Sequence, residues 1–187
     1  MRLFVAVLPP EPVVAELSGR VDDLKRLPGA DALRWTERAG WHLTLAFLDE
    51  VDDRVVPDLT ARLARAAGRT APFPLALRGG GRFGDRALWA GVAGGVAELR
   101  LLAGRAEAAG RRAGAGPEAG RGFHPHLTLA RARGAADLVP FVEGLSGFEG
   151  VEWEVRELSL VRSHLPRGGE PGARPRYEPL AGWALRG

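Results

Sequence analysis

The pentapeptide HLTLA occurs twice in this sequence, beginning at His42 and again at His126. Residues i and i+2 of a β-strand project from the same face, so each histidine shares a face with a threonine, Thr44 or Thr128. The leucines project from the opposite face, towards a core. If the two segments are related by an approximate two-fold axis, two imidazoles and two hydroxyls converge on one small ligand.

Two imidazoles beside two hydroxyls are suited to phosphoester chemistry. The ordinary pKa of histidine, about 6.5, lets the neutral and protonated forms coexist near neutrality. A neutral imidazole can take a proton from attacking water or a hydroxyl, while a protonated one gives a proton to the leaving oxygen. Threonine hydroxyls can donate hydrogen bonds to the non-bridging phosphate oxygens. The motif pair therefore predicts acid–base phosphoester cleavage that needs no metal and no other cofactor.

The composition excludes several other chemistries. The 187 residues include no cysteine, which excludes a disulfide scaffold, a thiolate nucleophile and any metal site built on cysteine. No apolar run approaches the length of a membrane span, and the opening MRLFVAVLPP resembles a first strand rather than a signal peptide. We therefore expect a cytoplasmic protein with no membrane association, no protein partner and a monomer as its default state.

Almost all of the positive charge is arginine. Lysine and arginine total 26 residues and Lys25 is the only lysine, so the pI is about 10.4 although the net charge is only +3. A guanidinium can hold two phosphate oxygens at once, which suits a phosphate ligand. The alternative explanation for most of the arginines is a codon bias towards alanine, glycine, arginine and proline, because all four are abundant here.

Apolar periodicity predicts alternating strands and helices around the two motifs. Strands are expected at 2–8, 41–48, 73–77, 87–93, 125–131, 151–161 (with a change of phase near Arg156) and 177–185. Helices are expected from Pro10 to about Pro28, from Asp52 to Gly68, from Val96 to Arg112 and over 138–145, and loops at 113–122 and 164–176. This order indicates one α+β domain, residues 1–187, whose two similar lobes each carry one H-x-T motif.

The segments around the motifs carry a family resemblance. Two H-x-T-hydrophobic motifs about eighty residues apart are the signature of the two-histidine (2H) phosphoesterase superfamily. The stretches MRLFVAVLPP, WHLTLAFLDEV, ALWAGV, FHPHLTLAR and RYEPLAGW resemble, within it, the bacterial and archaeal RNA 2′,3′-cyclic phosphodiesterases, also called 2′-5′ RNA ligases. The resemblance extends from about Met1 to Leu185. One departure is Asp49, where the family usually has glycine, and it concerns the local turn geometry after the strand.

The resemblance implies a bilobal fold with antiparallel sheets lining a central cleft and helices outside. It implies hydrolysis of RNA ends or nucleotides bearing a 2′,3′-cyclic phosphate to 2′-phosphomonoesters, with reversible 2′-5′ ligation as a weaker activity. Carried over by motif, His42 would be the general acid that protonates O3′, and His126 the general base that activates water. Thr44 and Thr128 would bind the phosphate. The residues alone are symmetric and do not distinguish acid from base.

Two further residues are candidates for substrate binding. Arg131 follows the second HLTLA, in the position that Phe47 occupies after the first. Strict alternation along a strand turns both away from the threonine face, so they reach the site only if the strand ends or twists there. The family pattern favours Arg131 as a ligand of nucleotide phosphate or base, against a plain surface arginine. Phe47 could stack on a base, although a strand phenylalanine is more often part of a core.

The other two histidines have less direct roles. His124 and His126 form an H-x-H pair that could chelate a metal, but the chain offers no obvious further ligands, and His124 is expected at the strand entrance. His164 begins the 164–176 loop and is expected at the cleft rim or on the surface. The arginines of this loop could guide an RNA backbone, or the loop could simply be surface.

Two alternative functions remain open at this level. One is a nucleotide- or RNA-binding module that keeps the cleft without turnover. The other is a related 2H phosphodiesterase that acts on another cyclic nucleotide or on a 2′-5′ oligonucleotide, because the motif contacts only the phosphate.

Overall fold

The structure is a computed structural model that describes residues 1–116, 122–168 and 172–187. Within them the strands are β1 (Arg2–Val7), β2 (Leu33–Trp35), β3 (Leu43–Glu50), β4 (Phe73–Phe83), β5 (Ala87–Gly94), β6 (Leu127–Ala132), β7 (Trp153–Val155), β8 (Glu157–His164) and β9 (Arg176–Ala184). The α-helices are α1 (Glu11–Leu24), α2 (Val56–Gly68), α3 (Val96–Ala113) and α4 (Val139–Leu145), and short 3-10 turns flank β2 at Ala30–Ala32 and Arg38–Gly40.

The strands form two antiparallel sheets. The first has the order β3-β1-β8-β9 and the second the order β2-β6-β5-β4-β7. The first HLTLA segment runs into β3 of the first sheet, and the second runs into β6 of the second sheet. Strands β3 and β6 contact each other where the sheets meet. This confirms the expected α+β architecture with one motif in each sheet.

Each sheet takes strands from both halves of the chain. Strand β1, helix α1, strand β3 and helix α2 follow the same course as β5, α3, β6 and α4. Strand β4, which follows α2, then joins the second sheet beside β5. Strand β8, which follows α4 and the short strand β7, instead joins the first sheet beside β1. The two sheets are therefore related in connectivity but interlocked by an exchange of strands.

The helices lie over the sheets and close a shared core. In α1 the apolar residues at helical spacing, Val14, Leu17, Val21 and Leu24, are buried as the sequence predicts. Helices α2 and α3 pack against each other, with α3 on β3 and α2 on β9, while α4 packs on β4 and contacts α1. One continuous hydrophobic cluster includes residues of both sheets. Because of this shared core, the two motif strands have a common packed support.

Most predicted elements are confirmed, although α1 ends at Leu24 rather than near Pro28 and α2 begins at Val56 rather than at Asp52. Three further differences concern the strands. Strand β2 was not predicted, because three residues are too few to show a period. Strand β4 continues to Phe83, beyond the expected end at Leu77. The expected change of phase near Arg156 is a break between β7 and β8. Of the two predicted loops, 117–121 and 169–171 lie outside the described residues. No α-helix in the described part of the chain is long and apolar enough to span a membrane.

Candidate active site

The two motif histidines are anchored in the same way. His42 and His126 each lie immediately before a strand, β3 or β6. The Nδ1 atom of His42 is 2.7 Å from the carbonyl oxygen of Gly40, and Nδ1 of His126 is 2.6 Å from the carbonyl oxygen of His124. In both cases the partner is the backbone two residues earlier. The sequence repeat thus corresponds to a repeat of side-chain geometry.

These contacts determine which nitrogen of each imidazole can react. A carbonyl oxygen only accepts hydrogen bonds, so Nδ1 of His42 and of His126 must carry the proton and donate it. In the neutral ring, Nε2 then keeps its lone pair and can accept a proton, and in the protonated ring Nε2 can give one up. Both side chains are half-buried, which holds the rings while leaving an edge accessible.

The surroundings of both imidazoles lower their pKa values. Burial lowers the pKa of His42 to about 4, against the opposing effect of its hydrogen bond to Gly40, and the charges of His126 and Arg131 lower it further. The pKa of His126 is also lowered, chiefly by burial, with the charges of His124 and Arg131 acting in the same direction. The charge of His126 therefore affects the pKa of His42, and the charge of Arg131 affects the pKa of both histidines. An anion placed between them would offset this repulsion and favour protonation.

Aromatic rings support each imidazole from the neighbouring strands. The His42 ring centroid lies 4.6 Å from that of Phe4 on β1 and 5.2 Å from that of Tyr177 on β9. The His126 ring lies 4.8 Å from Phe83 on β4. Trp89 on β5 is 6.1 Å from His126 and 4.8 Å from His124. Packing of this kind restricts rotation of the rings and limits access of water.

A bulge in β3 determines from which face of the strand Phe47 projects. Thr44 lies opposite Ala6 and Phe47 lies opposite Phe4, with a register shift between the two pairs at Leu45. Directly opposed residues of an antiparallel pair share a face, so Thr44 and Phe47 project from the same side as Phe4. Strict alternation would turn Phe47 away from this face, and the bulge is the departure from regular alternation that a role of Phe47 at the site requires. Phe47 is 49% exposed, so it is not a core residue.

Strand β6 contains an equivalent bulge. Thr128 lies opposite Trp89 and Arg131 lies opposite Ala87, with a register shift at Leu129. Arg131 consequently projects from the Thr128 face, again in contrast to strict alternation, and its side chain is exposed. Its electrostatic effect on both imidazoles agrees with this placement. The structure thus brings His42, Thr44, His126, Thr128 and Arg131 to the region where β3 meets β6.

The departure from the family at Asp49 coincides with unusual backbone geometry. Asp49 has a φ of 54°, and it is the one non-glycine residue with a positive φ in the described part of the chain. A second register shift of β3 lies here, between the pairs that Leu3 and Phe4 form. Glycine adopts this conformation most readily and aspartate tolerates it better than most residues. The turn geometry that the sequence placed in question is therefore the left-handed one, and aspartate adopts it.

A cavity of about 630 Å³ adjoins this region. Its lining includes Gly40 and Tyr177, which both contact the His42 imidazole. Arg131, which follows the second motif, also lines it. Arg34 on β2 lines the same cavity and lies directly opposite Arg131. Sequence reasoning missed Arg34, because nothing in the three-residue strand predicted that β2 pairs with β6.

The remaining histidines differ from the motif pair. His124 contributes its carbonyl oxygen to His126, a contact through the backbone that no side-chain pattern could reveal. Within the described residues no group of three or more histidine, cysteine or acidic side chains could hold a metal ion. His164 is the last residue of β8, and its Nε2 is 2.6 Å from Glu178 on β9, which lowers the pKa of that carboxyl group.

Comparisons with known proteins agree on the family. A sequence profile of the 2′-5′ RNA ligase superfamily matches residues 9–167. The chain is 37% identical over 195 residues to the RNA 2′,3′-cyclic phosphodiesterase of Thermus thermophilus, covering all of this chain and 91% of that protein. The crystal structure of Escherichia coli LigT in its apo form superposes with a TM-score of 0.79 at 30% identity, covering 100% of this chain and 98% of LigT. LigT complexed with 3′-AMP superposes with a TM-score of 0.76 at 29% identity, covering 98% and 96%.

Proposed function

Because the chain belongs to the 2′-5′ RNA ligase superfamily, we propose that it hydrolyses RNA 2′,3′-cyclic phosphates to 2′-phosphomonoesters. His42 and His126 are its acid–base pair. The observation that carries the proposal is the identical anchoring of the two imidazoles, each with Nδ1 on a backbone carbonyl and Nε2 available for proton transfer. The named activity of the Thermus relative, at 37% identity over the full chain, supports the choice of substrate.

The reaction needs one proton accepted and one proton given. Nε2 of neutral His126 takes a proton from water as the water oxygen forms a bond to phosphorus. The bond from phosphorus to O3′ breaks, and Nε2 of protonated His42 gives its proton to O3′. The product is a 2′-phosphomonoester, and exchange with solvent restores the two protonation states. Attack opposite O3′ requires the two imidazoles on opposite sides of the phosphorus.

Binding of the anionic substrate favours uptake of a proton from solvent by His42. Without substrate the pKa of His42 is about 4, so the ring is neutral at pH 7. The cyclic phosphodiester carries a negative charge, and placed between the imidazoles it raises the pKa of its neighbours. Hydroxyls of Thr44 and Thr128 donate to the non-bridging oxygens, and Arg131 balances the charge that develops there.

The same groups can form a 2′-5′ linkage. An RNA 5′-hydroxyl that replaces water as the nucleophile yields a 2′-5′ phosphodiester, with the proton transfers unchanged. In the reverse direction the 3′-hydroxyl attacks and the two histidines exchange roles. This activity requires a second RNA end in the cleft, so hydrolysis is expected to dominate where water is not excluded.

Hydrolysis of adenosine 2′,3′-cyclic phosphate in excess chelator tests the proposal, with the 2′- and 3′-phosphate products separated by chromatography. We expect 2′-AMP, and a loss of about 10² to 10⁴ in kcat for His42→Ala and for His126→Ala. His164→Ala is the matched control, because this histidine pairs with Glu178, and its rate should equal that of the wild type. Tight binding of 2′-AMP without turnover would instead identify a binding module. Preference for another cyclic nucleotide or a 2′-5′ oligonucleotide would identify a related phosphodiesterase.

The acid and base can be distinguished by the leaving group. A cyclic substrate with sulfur in place of O3′ expels a thiolate, which needs no proton from the enzyme. On this substrate His42→Ala should recover much of its lost rate, whereas His126→Ala should not. The opposite pattern would reverse the two roles.

A further inference from the structure

Two arginines face each other at the edge of the second sheet. Arg34 on β2 and Arg131 on β6 are directly opposed in the antiparallel pairing. Opposed residues share a face, so both side chains project from the face that carries Thr128. On β2 the flanking residues Leu33 and Trp35 are buried on the other side, which leaves the half-buried Arg34 side chain towards the cavity.

Like charges in this position destabilise a sheet unless an anion lies between them. Within residues 1–116, 122–168 and 172–187, neither Arg34 nor Arg131 forms an ion pair with a carboxylate. Arg174 in the same cavity differs, because it is 3.3 Å from Glu37, the acidic residue of the lining. Arg34 and Arg131 also line a second cavity of about 470 Å³ together with Arg133. Among the residues that the structure describes, the pair therefore forms a cationic wall with no carboxylate partner, on a surface with space for a ligand.

The cationic wall extends from Arg131, beside the candidate active site, to Arg34 on the edge strand β2. Arg131 acts electrostatically on both His42 and His126, so it borders the reacting phosphate. Arg34 lies one strand further out, about 4.8 Å away in the direction between strands. Its guanidinium can therefore reach a second anionic group that lies beyond the reacting phosphate.

The chemistry of the substrate identifies this second group. In hydrolysis a single RNA strand occupies the site, and its terminal 2′,3′-cyclic phosphate is the reacting group. Every other phosphate of that strand lies on the 5′ side of the terminal nucleoside. We propose that Arg34 binds the phosphate attached to the 5′ oxygen of the terminal nucleoside, and this rests on the proposed function. The substrate class is then an RNA end of two or more nucleotides, or a 5′-phosphorylated nucleoside cyclic phosphate, in preference to a bare nucleoside cyclic phosphate.

Three substrates separate the contributions to binding. These are adenosine 2′,3′-cyclic phosphate, the same compound with a 5′-phosphate, and the dinucleotide ApA with a terminal 2′,3′-cyclic phosphate. For the wild type, kcat/KM should be about tenfold or more higher on the second and third than on the first, because a guanidinium–phosphate contact is a strong charge-assisted hydrogen bond. In Arg34→Met this ratio should fall to near one. Arg112→Met is the matched control, because it removes the same charge from an exposed position in the last turn of α3, and its ratio should be that of the wild type.

The dependence on salt gives a second measure. Because salt screens the contact between Arg34 and a phosphate, the decrease of kcat/KM for ApA cyclic phosphate with added salt should be less steep in Arg34→Met than in the wild type. Equal losses on all three substrates, with the ratio unchanged, would overturn the proposal and place Arg34 on the reacting phosphate or in a structural role.

Binding of products keeps this test separate from the test of turnover. Calorimetry can compare adenosine 2′-monophosphate with adenosine 2′,5′-bisphosphate on wild type and on Arg34→Met. The wild type should bind the bisphosphate about tenfold or more tightly than the monophosphate, and the variant should lose this difference. A protein that hydrolyses none of the three substrates but shows this difference contradicts the proposed function and supports the subsite. A protein that turns over without any 5′-phosphate preference contradicts the subsite alone.

Discussion

Thr128 and Arg131 project from the same face of β6, although three positions separate them. The bulge at Leu129 shifts the alternation by one residue, and the bulge at Leu45 does the same for Thr44 and Phe47 on β3. The two copies of HLTLA thus present equal groups to a phosphate but different groups beyond it. One copy continues with an aromatic ring and the other with a cation. A nearly symmetric pair of histidines is in this way flanked by an asymmetric surface, with Phe47 on one side and Arg131 on the other.

Phe47→Ala tests the aromatic side of this asymmetry. Stacking of a base on an aromatic side chain is worth about 1–3 kcal/mol, so KM for adenosine 2′,3′-cyclic phosphate should rise about tenfold or more. Phe47→Trp should retain the wild-type KM. The ring is 49% exposed, so the free energy of unfolding should change by much less than the about 3–5 kcal/mol of a core phenylalanine. An equal rise in KM for 1-O-methylribose 2′,3′-cyclic phosphate, which has no base, would contradict a stacking role.

The protonation of His42 should depend on the ligand. In the free protein its pKa of about 4 keeps the ring neutral at pH 6, with the proton on Nδ1. Bound 2′-AMP places a negative charge beside the ring, which should raise this pKa towards neutrality. Nitrogen-15 NMR of the imidazoles, titrated from pH 4 to pH 8 with and without 2′-AMP, measures both the pKa and the tautomer. A free-state pKa near 6.5, or a proton on Nε2 in the neutral ring, would be inconsistent with the site described above.

His42 should also make the fold less stable in acid. Its folded pKa lies below the unfolded value of about 6.5, so between pH 6.5 and 4 the unfolded chain binds a proton that the folded chain does not. The free energy of unfolding should therefore decrease as the pH falls through this window, by at most about 3 kcal/mol from this residue. His42→Gln should show a smaller decrease in urea titrations. At pH 8 both proteins are neutral at this position, so their difference there reports packing alone. Parallel stability curves for the two proteins across the window would refute this source of acid sensitivity.

Gly81→Ala should impair catalysis through packing. A Cβ atom at Gly81 would overlap the ring of Trp89, which packs against His124 and His126. The ring must move, and a displaced imidazole should lower kcat by about 10- to 100-fold. Gly104→Ala in α3 is the control, because its Cβ would meet nothing within 4 Å. It should keep the wild-type kcat and raise the free energy of unfolding by about 0.5–1 kcal/mol. Wild-type kcat in Gly81→Ala, with unshifted His126 resonances, would show that Trp89 does not position the histidine.

Elements with a strong period and the repeated motif were predictable from the sequence. The buried stripe of α1 and the placement of one HLTLA segment in each sheet follow from apolar spacing and from the repeat itself. The bulges were not predictable, because Leu45 and Ala46 are both apolar and both buried, so the pattern shows no interruption where the register shifts. The positive φ at Asp49 was indicated only by comparison with the family, through the glycine that usually stands there.

The pairing of Arg34 with Arg131 could not be predicted from the sequence for a different reason. Arg34 is a candidate ligand only because it lies opposite Arg131. The two residues are almost a hundred positions apart in sequence, and a strand of three residues is too short to predict their pairing. The anchors of the imidazoles were hidden for another reason. They are backbone carbonyls, of Gly40 and His124, and a carbonyl is present at every position of any sequence.

The exchange of strands between the sheets has a consequence for synthesis on the ribosome. Both HLTLA segments have been translated by residue 130, but the sheet that contains β3 lacks two of its four strands at that point. Strand β8 must still pair with β1, and β9 must bring Tyr177 against the His42 ring. A nascent or prematurely terminated chain therefore holds every residue of the histidine–threonine set without the surroundings that adjust its proton affinity. Strand β9 therefore completes the surroundings of the His42 ring.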